Sequence, residues 1–234
     1  MTRTLPMLRH ALLAALLMAA ALLMAAAVPL AAAEPEPDFA PAKALFDARR
    51  FDEAAESYAK LAAEYAARYP QSDEQRYYCG EGGPEALLYL ATAAGDGVSA
   101  TVVGTDWCEA LFMQAYSYVE LKRLDLAIAP LEQALELAPF HAKYANELGF
   151  VLSRLSRLDE GMAAYRTALG GAELTGEEQA RNKAVALRGI GWIHSDRREW
   201  DLAEDALRKS LEIDPDNEMA LGELDYIAQQ KSGD

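Results

Sequence analysis

Histidine and cysteine are scarce in this chain of 234 residues, three of the first and two of the second. So few imidazoles and thiols leave little for a metal centre, and no H-E-x-x-H, G-x-S-x-G or P-loop pattern occurs. The reading is therefore no metal, no cofactor and no catalytic residue. Positive charge is also short: 22 Lys plus Arg stand against 37 Asp plus Glu, a formal charge of −15. A surface this acidic repels phosphate backbones, which excludes nucleic acid as a partner. Fifteen Gly and ten Pro are ordinary numbers and exclude a collagen-like or low-complexity chain. With 52% hydrophobic residues the chain has too much apolar material to be disordered. Abundant Ala, Leu and Glu point to an all-α protein.

One segment lacks charge altogether. After Arg3 and Arg9, the run Ala11 to Ala27 contains only Ala, Leu and Met, and Val28-Pro29-Leu30-Ala31-Ala32-Ala33 follows. This is the layout of a secretory signal, with cleavage expected between Ala33 and Glu34. The competing reading is a retained anchor, since the run approaches the ~20 residues that span a bilayer; Pro29 falls where a signal's cleavage region begins and favours removal. No cysteine at the junction suggests a lipoprotein, and the separated arginines do not suggest the twin-arginine route. Loss of residues 1–33, with their two arginines, leaves 201 residues at a formal charge of −17 in place of −15. Residues 34–41 (EPEPDFAP) hold three prolines and three acids and read as an extended tether, with the fold beginning near Ala42.

The remainder is organised by a repeat. Three ungapped stretches of 34 residues align, starting at Cys108, Ala142 and Ala184. Small residues recur at Ala115, Gly149 and Gly191 and again at Ala127, Gly161 and Ala203, with bulky Leu131, Tyr165 and Leu207 four residues after the second set. Polar links at 122–125, 156–159 and 198–201 divide each unit into two helices, and Pro139 and Pro215 close two of them. A partial fourth copy covers 42–70, with FDEAAESY from Phe51 opening its second helix. After Pro215, residues 218–230 place Leu221, Leu224 and Ile227 on one face, as in a helix that closes a solenoid.

Two insertions interrupt this array. Residues 170–183 add eight positions between the second and third units, with Thr175 to Glu178 reading as a capping box. Residues 71–105 contain an expected helix at Pro84 to Ala94 and a glycine-bearing stretch, GDGVSATVVGTD, to which no element is assigned. GEGG at 80–83 and GDG at 95–97 read as turns. Asp106 with Glu109 is expected to open a helix at Trp107. Asp214 to Glu218 reads as a helix linker, since Met219 stands where a calcium loop needs glycine.

Leu148-Gly149, Tyr118, the pairs Ala127/Leu131 and Ala203/Leu207, and the closing prolines resemble the tetratricopeptide repeat family. Gln114-Ala115 in place of Leu-Gly, Ile190 in place of Leu, and Glu173 in place of proline depart from its pattern. The resemblance implies a right-handed α-solenoid of about four helix-turn-helix repeats with a C-terminal capping helix. It also implies that the fifth and ninth positions of each first helix face a concave groove. Those positions are Phe112, Asn146 and Arg188, then Tyr116, Phe150 and Trp192, which become the candidate partner-binding residues. Ordinary packing is the competing explanation for aromatics at helical spacing.

Cys79 and Cys108 are an even pair in a chain expected to be exported, and are expected to form a disulfide. His10 lies in the signal, His141 in an inter-repeat turn, and His194 in the slot that Tyr118 fills in its sister unit, so packing accounts for the latter two. The resulting expectation is an exported, periplasmic or secreted, non-enzymatic protein that binds a peptide or protein partner. It touches a membrane only if the signal is retained, and no oligomeric state is assigned. The alternatives are an enzyme with its site in the 71–105 insertion, carried by polar residues such as Asp96 and Ser99, and a structural subunit of an envelope assembly.

Overall fold

The computed structural model describes residues 35–172 and 176–233. The chain divides into two units, Met1–Glu36 and Pro37–Asp234. Only residues 35 and 36 of the first are described, and every described helix and strand belongs to the second. The signal, its cleavage point and the residues Glu173 and Thr175 lie outside the described residues. Among the described residues, no helix is long and apolar enough to cross a membrane.

Helices α1 (Ala40–Asp47) and α2 (Phe51–Arg68) form the first pair, with Pro41 in the opening turn of α1, where its missing N–H costs nothing. Phe39 already packs on Tyr58 and Tyr65, so ordered packing starts before Ala42 and the end of the proline-rich segment is held down. Then come β1 (Gln75–Cys79), α3 (Gly83–Gly95) and β2 (Ser99–Val103), followed by the pairs α4 (Asp106–Glu120) and α5 (Leu124–Leu137), and α6 (Ala142–Arg154) and α7 (Leu158–Ala172). The last pair is α8 (Gly176–Asp196) and α9 (Trp200–Leu211), and α10 (Glu218–Ser232) closes the chain. The eight added residues of the second insertion extend α8 backwards at its N-terminus. Asp106 lies within the first turn of α4, not at its cap, and accepts from the Tyr65 hydroxyl at 3.4 Å.

Each helix pair turns in the same way. Arg49, Lys122, Ser156 and Arg198 adopt φ between 59° and 61°, although none is glycine. In every case the left-handed N–H returns to a carbonyl three residues back, and the next N–H reaches five residues back: Lys122 to Val119 and Arg123 to Tyr118, both at 2.9 Å, are one instance. This satisfies the last carbonyls of the first helix and fixes the entry into the second. The same two bonds at Arg49 and Arg50 establish the partial N-terminal copy as a complete fourth turn in register.

The small positions are close contacts. A Cβ on Gly149 would sit 2.8 Å from the Tyr165 ring, and one on Gly191 would sit 2.7 Å from Leu207 Cγ. The bulky side chain of each second helix thus fills the notch left by the small residue of the first. At the C-terminal end Ala220 and Ile227 of α10 are buried against Ala203 and Leu207, with Leu224 partly buried beside them. Leu221, expected on that face, is 44% exposed.

The 71–105 insertion is not purely helical. It folds as a strand-helix-strand unit whose two strands pair in parallel, Gln75 opposite Ser99 through Cys79 opposite Val103. Glycine is required in its turns, where Gly82, Gly83 and Gly97 have φ of 98°, 72° and 74°. Tyr78 stacks on Tyr89 of α3 at 5.2 Å, and Tyr77 packs on Tyr69 at 5.3 Å. A disulfide joins Cys79, at the end of β1, to Cys108 in the first turn of α4, with a Cα–Cα distance of 6.1 Å.

Candidate functional site

The six candidate groove residues fall into two groups. In α4 both aromatics belong to packing. Phe112 is only 7% exposed, with Tyr116 stacked on one side at 5.9 Å, Tyr144 against it at 5.5 Å and the Lys143 ammonium 4.0 Å over its ring. Tyr116 is half-buried because Phe46, from the partial first copy, stacks on it at 5.7 Å. The expectation that Phe112 offers a free aromatic face is therefore corrected. In α6 and α8 the ninth positions are open, and Phe150 and Trp192 are each 41% exposed.

One turn before those rings lie two polar side chains that the fold has drawn inward. Asn146 is 95% buried, and its Nδ2 donates to the backbone carbonyl of Asn182 at 2.9 Å. The lengthened α8 supplies that carbonyl, which explains why Asn146 is not the open amide the sequence suggested. Its Oδ1 has no hydrogen-bond partner within the protein. Arg188 is mostly buried; its Nη1 stands 3.6 Å from Asp214 and also lacks a hydrogen-bond partner. Beside them Glu147 is held above the usual carboxylate range by burial, with Lys143 pulling the other way. The Tyr165 hydroxyl, which senses both Glu147 and Arg188, is pushed up to about 12, chiefly by burial. A carboxylate, an amide oxygen and a guanidinium thus gather under two exposed rings. Buried groups with unfilled hydrogen-bonding capacity are expensive unless something completes them.

Two cavities flank the insertion. The larger, about 720 Å³, lies between α2, α4 and α5 with Tyr77, Trp107 and Leu137 in its walls. The smaller, about 450 Å³, is bounded by the GEGG turn, His141, Lys143 and Gln179. His141 stacks on Tyr144 at 3.8 Å, and burial lowers its pKa to about 4. Of the polar residues suggested for an enzyme site in the insertion, Asp96 is paired with Arg76 at 2.6 Å and Ser99 is exposed on β2. Among the described residues no group of three or more His, Cys, Asp or Glu could hold a metal ion. His194 lies 2.5 Å from Glu199 across the turn into α9.

Sequence reasoning missed Glu147 and Gly189. A Cβ on Gly189 would stand 2.2 Å from the Tyr165 Cζ, so this glycine lets the Tyr165 ring lie between α6 and α8. Its signal was available: a third glycine in α8 beside the repeat's own small position at Gly191.

Models of the tetratricopeptide repeat match residues 109–141 and 140–216. Among solved structures the chain is similar to the MamA protein, with TM-score 0.55 and 16% identity over 82% of this chain and 79% of that one. The MamA RS-1 ArsTM double mutant gives TM-score 0.56 at 14% identity, over 84% and 87%. The first tetratricopeptide domain of Spaghetti (RPAP3), solved with the HSP90 peptide SRMEEVD, gives TM-score 0.47 at 18% identity, over 53% and 93%. No curated protein matches the sequence. At these identities the likeness is one of fold.

Proposed function

Because this chain is a tetratricopeptide-repeat protein, we propose that it is a non-enzymatic scaffold that binds a peptide or protein partner over α6 and α8. The observation that carries the reading is the pairing of exposed Phe150 and Trp192 with Asn146 Oδ1 and Arg188 Nη1, which the protein itself leaves without hydrogen bonds. The rings supply flat apolar surface at low entropic cost, and the guanidinium and amide supply directional contacts beneath them. A mature charge of −17 repels acidic chains, so the partner is neutral or basic overall and presents at most one carboxylate, to Arg188. The apolar N-terminal run and the disulfide support export to the periplasm or beyond, with a role in envelope assembly.

Peptides selected from a random display library on the purified chain test this reading. Enrichment should yield sequences that lose at least tenfold in affinity on Arg188→Gln, and again on Phe150→Ala with Trp192→Ala, while Phe112→Leu leaves binding intact. Selected peptides that bind the double variant as tightly as the original chain would refute it. Intact mass of the exported product tests the address: an N-terminus at Glu34 supports export, and full-length chain in the membrane fraction shows an anchor instead.

A further inference from the structure

The two strands of the insertion have opposite outer edges. In their parallel ladder Ser99 donates to Glu74 and Gly80 donates to Val103, so Ser99, Thr101 and Val103 direct their backbone groups towards β1. By alternation, Gln75 and Tyr77 point outward from β1, and Ala100 and Val102 point outward from β2. The outer edge of β1 is filled. The Gln71 side-chain amide accepts from Tyr77 N–H at 2.9 Å and donates to its carbonyl at 2.8 Å. Ser72 does the same for Gln75, its N–H donating to the carbonyl at 2.9 Å and its hydroxyl accepting the Gln75 N–H at 3.0 Å. Among the described residues nothing equivalent covers Ala100 or Val102. Nor does β2, Ser-Ala-Thr-Val-Val, carry the lysine, proline or inward charge that guards most exposed edges.

We propose that this edge joins two copies of the chain, β2 pairing with β2 of the second copy in antiparallel register about a twofold axis at Thr101. Ala100 then lies opposite Val102 of the second copy, and Val102 opposite its Ala100, each pair exchanging both N–H···O bonds. Three features of the molecule favour a second copy over any other occupant. The axis keeps the sheet faces matched: Arg76, Tyr78, Ala100 and Val102 share the face that α3 covers, through the Arg76–Asp96 pair and the Tyr78–Tyr89 stack, so both α3 helices end on one side of a four-stranded sheet. The spacing fits as well. Strands lie ~4.8 Å apart, so the midpoints of the two strand pairs are about 10 Å apart, the separation at which neighbouring helices pack. Finally, α3 carries an uncovered apolar surface for that contact: Leu87 is 69% and Leu90 37% exposed, and Glu85 is its only charged residue. On a chain this acidic, a charge-free edge beside a charge-free helix face is where a second copy meets least repulsion.

Light scattering and sedimentation of the purified, oxidised chain over a range of concentrations test the proposal. The expected result is twice the chain mass, falling to the single chain mass on Thr101→Lys with Leu87→Lys. Both sites are exposed, so the melting temperature should stay within two or three degrees. Facing lysines repel across the twofold, and a 1:1 mixture with the Thr101→Glu, Leu87→Glu chain should restore the dimer as a heterodimer. Ala100→Pro, which removes one outward N–H and none of the β1 ladder, should also give the single chain mass. A single-chain mass at every concentration would overturn the proposal, as would a dimer that survives both the double lysine variant and Ala100→Pro.

Discussion

In the N-terminal half, α1 to α5 with the insertion, the fifth and ninth positions of the repeat carry Phe112 and Tyr116, and both are taken up by neighbours: Phe46, and from α6 Tyr144 and the Lys143 ammonium. In the C-terminal half, α6 to α10, the same positions carry Asn146 and Arg188, drawn in beneath Phe150 and Trp192, which stay open. At the ninth position the difference does not lie in the residue type, since Tyr116, Phe150 and Trp192 are all aromatic. It lies in what the neighbouring units supply. Phe46 of the short α1 stacks on Tyr116 at 5.7 Å, whereas among the described residues no ring stacks on Phe150. Repeat register therefore predicts which backbone slot a residue takes, and the neighbouring unit decides whether the slot is core or surface.

The disulfide gives the largest way to test the contrast, because only the N-terminal half has one. Closing a loop of 28 intervening residues stabilises the fold by about 3–4 kcal/mol in the chain-entropy account. Reduction, or Cys79→Ser with Cys108→Ser, should lower the melting temperature by roughly ten degrees. Hydrogen exchange should rise first in 71–105 and the start of α4, with α8 to α10 unchanged. Equal loosening of both halves would show that they form a single cooperative unit.

A matched pair of phenylalanines comes next. Phe112→Ala empties a filled site and should cost about 3 kcal/mol, whereas Phe150→Ala, at a ring already 41% exposed, should cost about 1 kcal/mol. Denaturant midpoints measure both. Comparable losses would mean that Phe150 is structural, and the proposed binding surface would lose one of its two rings. Gly191→Leu tests the C-terminal half through its close contacts. Even a Cβ there meets Leu207 Cγ at 2.7 Å and the Ala203 carbonyl at 3.3 Å, so overpacking should cost about 2 kcal/mol and show in the same midpoints. A variant as stable as the original chain would contradict the close packing of α8 on α9.

Most of the solenoid was legible because its signals are volumes at fixed spacing: a small residue at Gly149 or Gly191 and a bulky partner in the next helix. The disulfide was legible from cysteine number and the expected compartment. The insertion was legible only in its helix. Its strands are five residues each and pair in parallel across α3, so no hairpin turn marked them, and the polar–apolar alternation of Ser99 to Val102 is too short to separate strand from loop. The left-handed residues at Arg49, Lys122, Ser156 and Arg198 were hidden for another reason. Each is a residue type that ordinarily avoids that conformation, held there by the two returning hydrogen bonds of its turn. Register picked out the slots of Asn146 and Arg188 but not their burial: Asn146 is held by the carbonyl of Asn182, one of the eight residues added to α8, and Arg188 lies against Asp214 beyond α9, neither of which a repeat position records.

The smallest expected effect lies at His141, in the turn where the two halves meet. Burial is the main cause of its lowered pKa, with Lys143 adding to it, and the folded value of about 4 compares with an ordinary 6.5. The sign follows from proton uptake. Above pH 6.5 His141 is neutral whether the chain is folded or not, and the group leaves stability unchanged. Between pH 6.5 and 4 the unfolded chain binds a proton that the folded chain refuses, so stability falls as the pH falls. From pH 7 to 5.5 the loss should be about 1 kcal/mol, a few degrees in melting temperature. Glu147, one helical turn and a half further on in α6, acts in the opposite sense: its raised pKa lets the folded chain take up a proton first, which favours folding on acidification. The two are separated by His141→Phe, which keeps a ring against Tyr144 and removes the titration. Melting temperatures of both chains at pH 7 and 5.5 should show the variant losing less on acidification, by about 1 kcal/mol. An identical acid response in the two chains would mean that His141 is protonated in the fold, with the glutamates lining its cavity outweighing its burial.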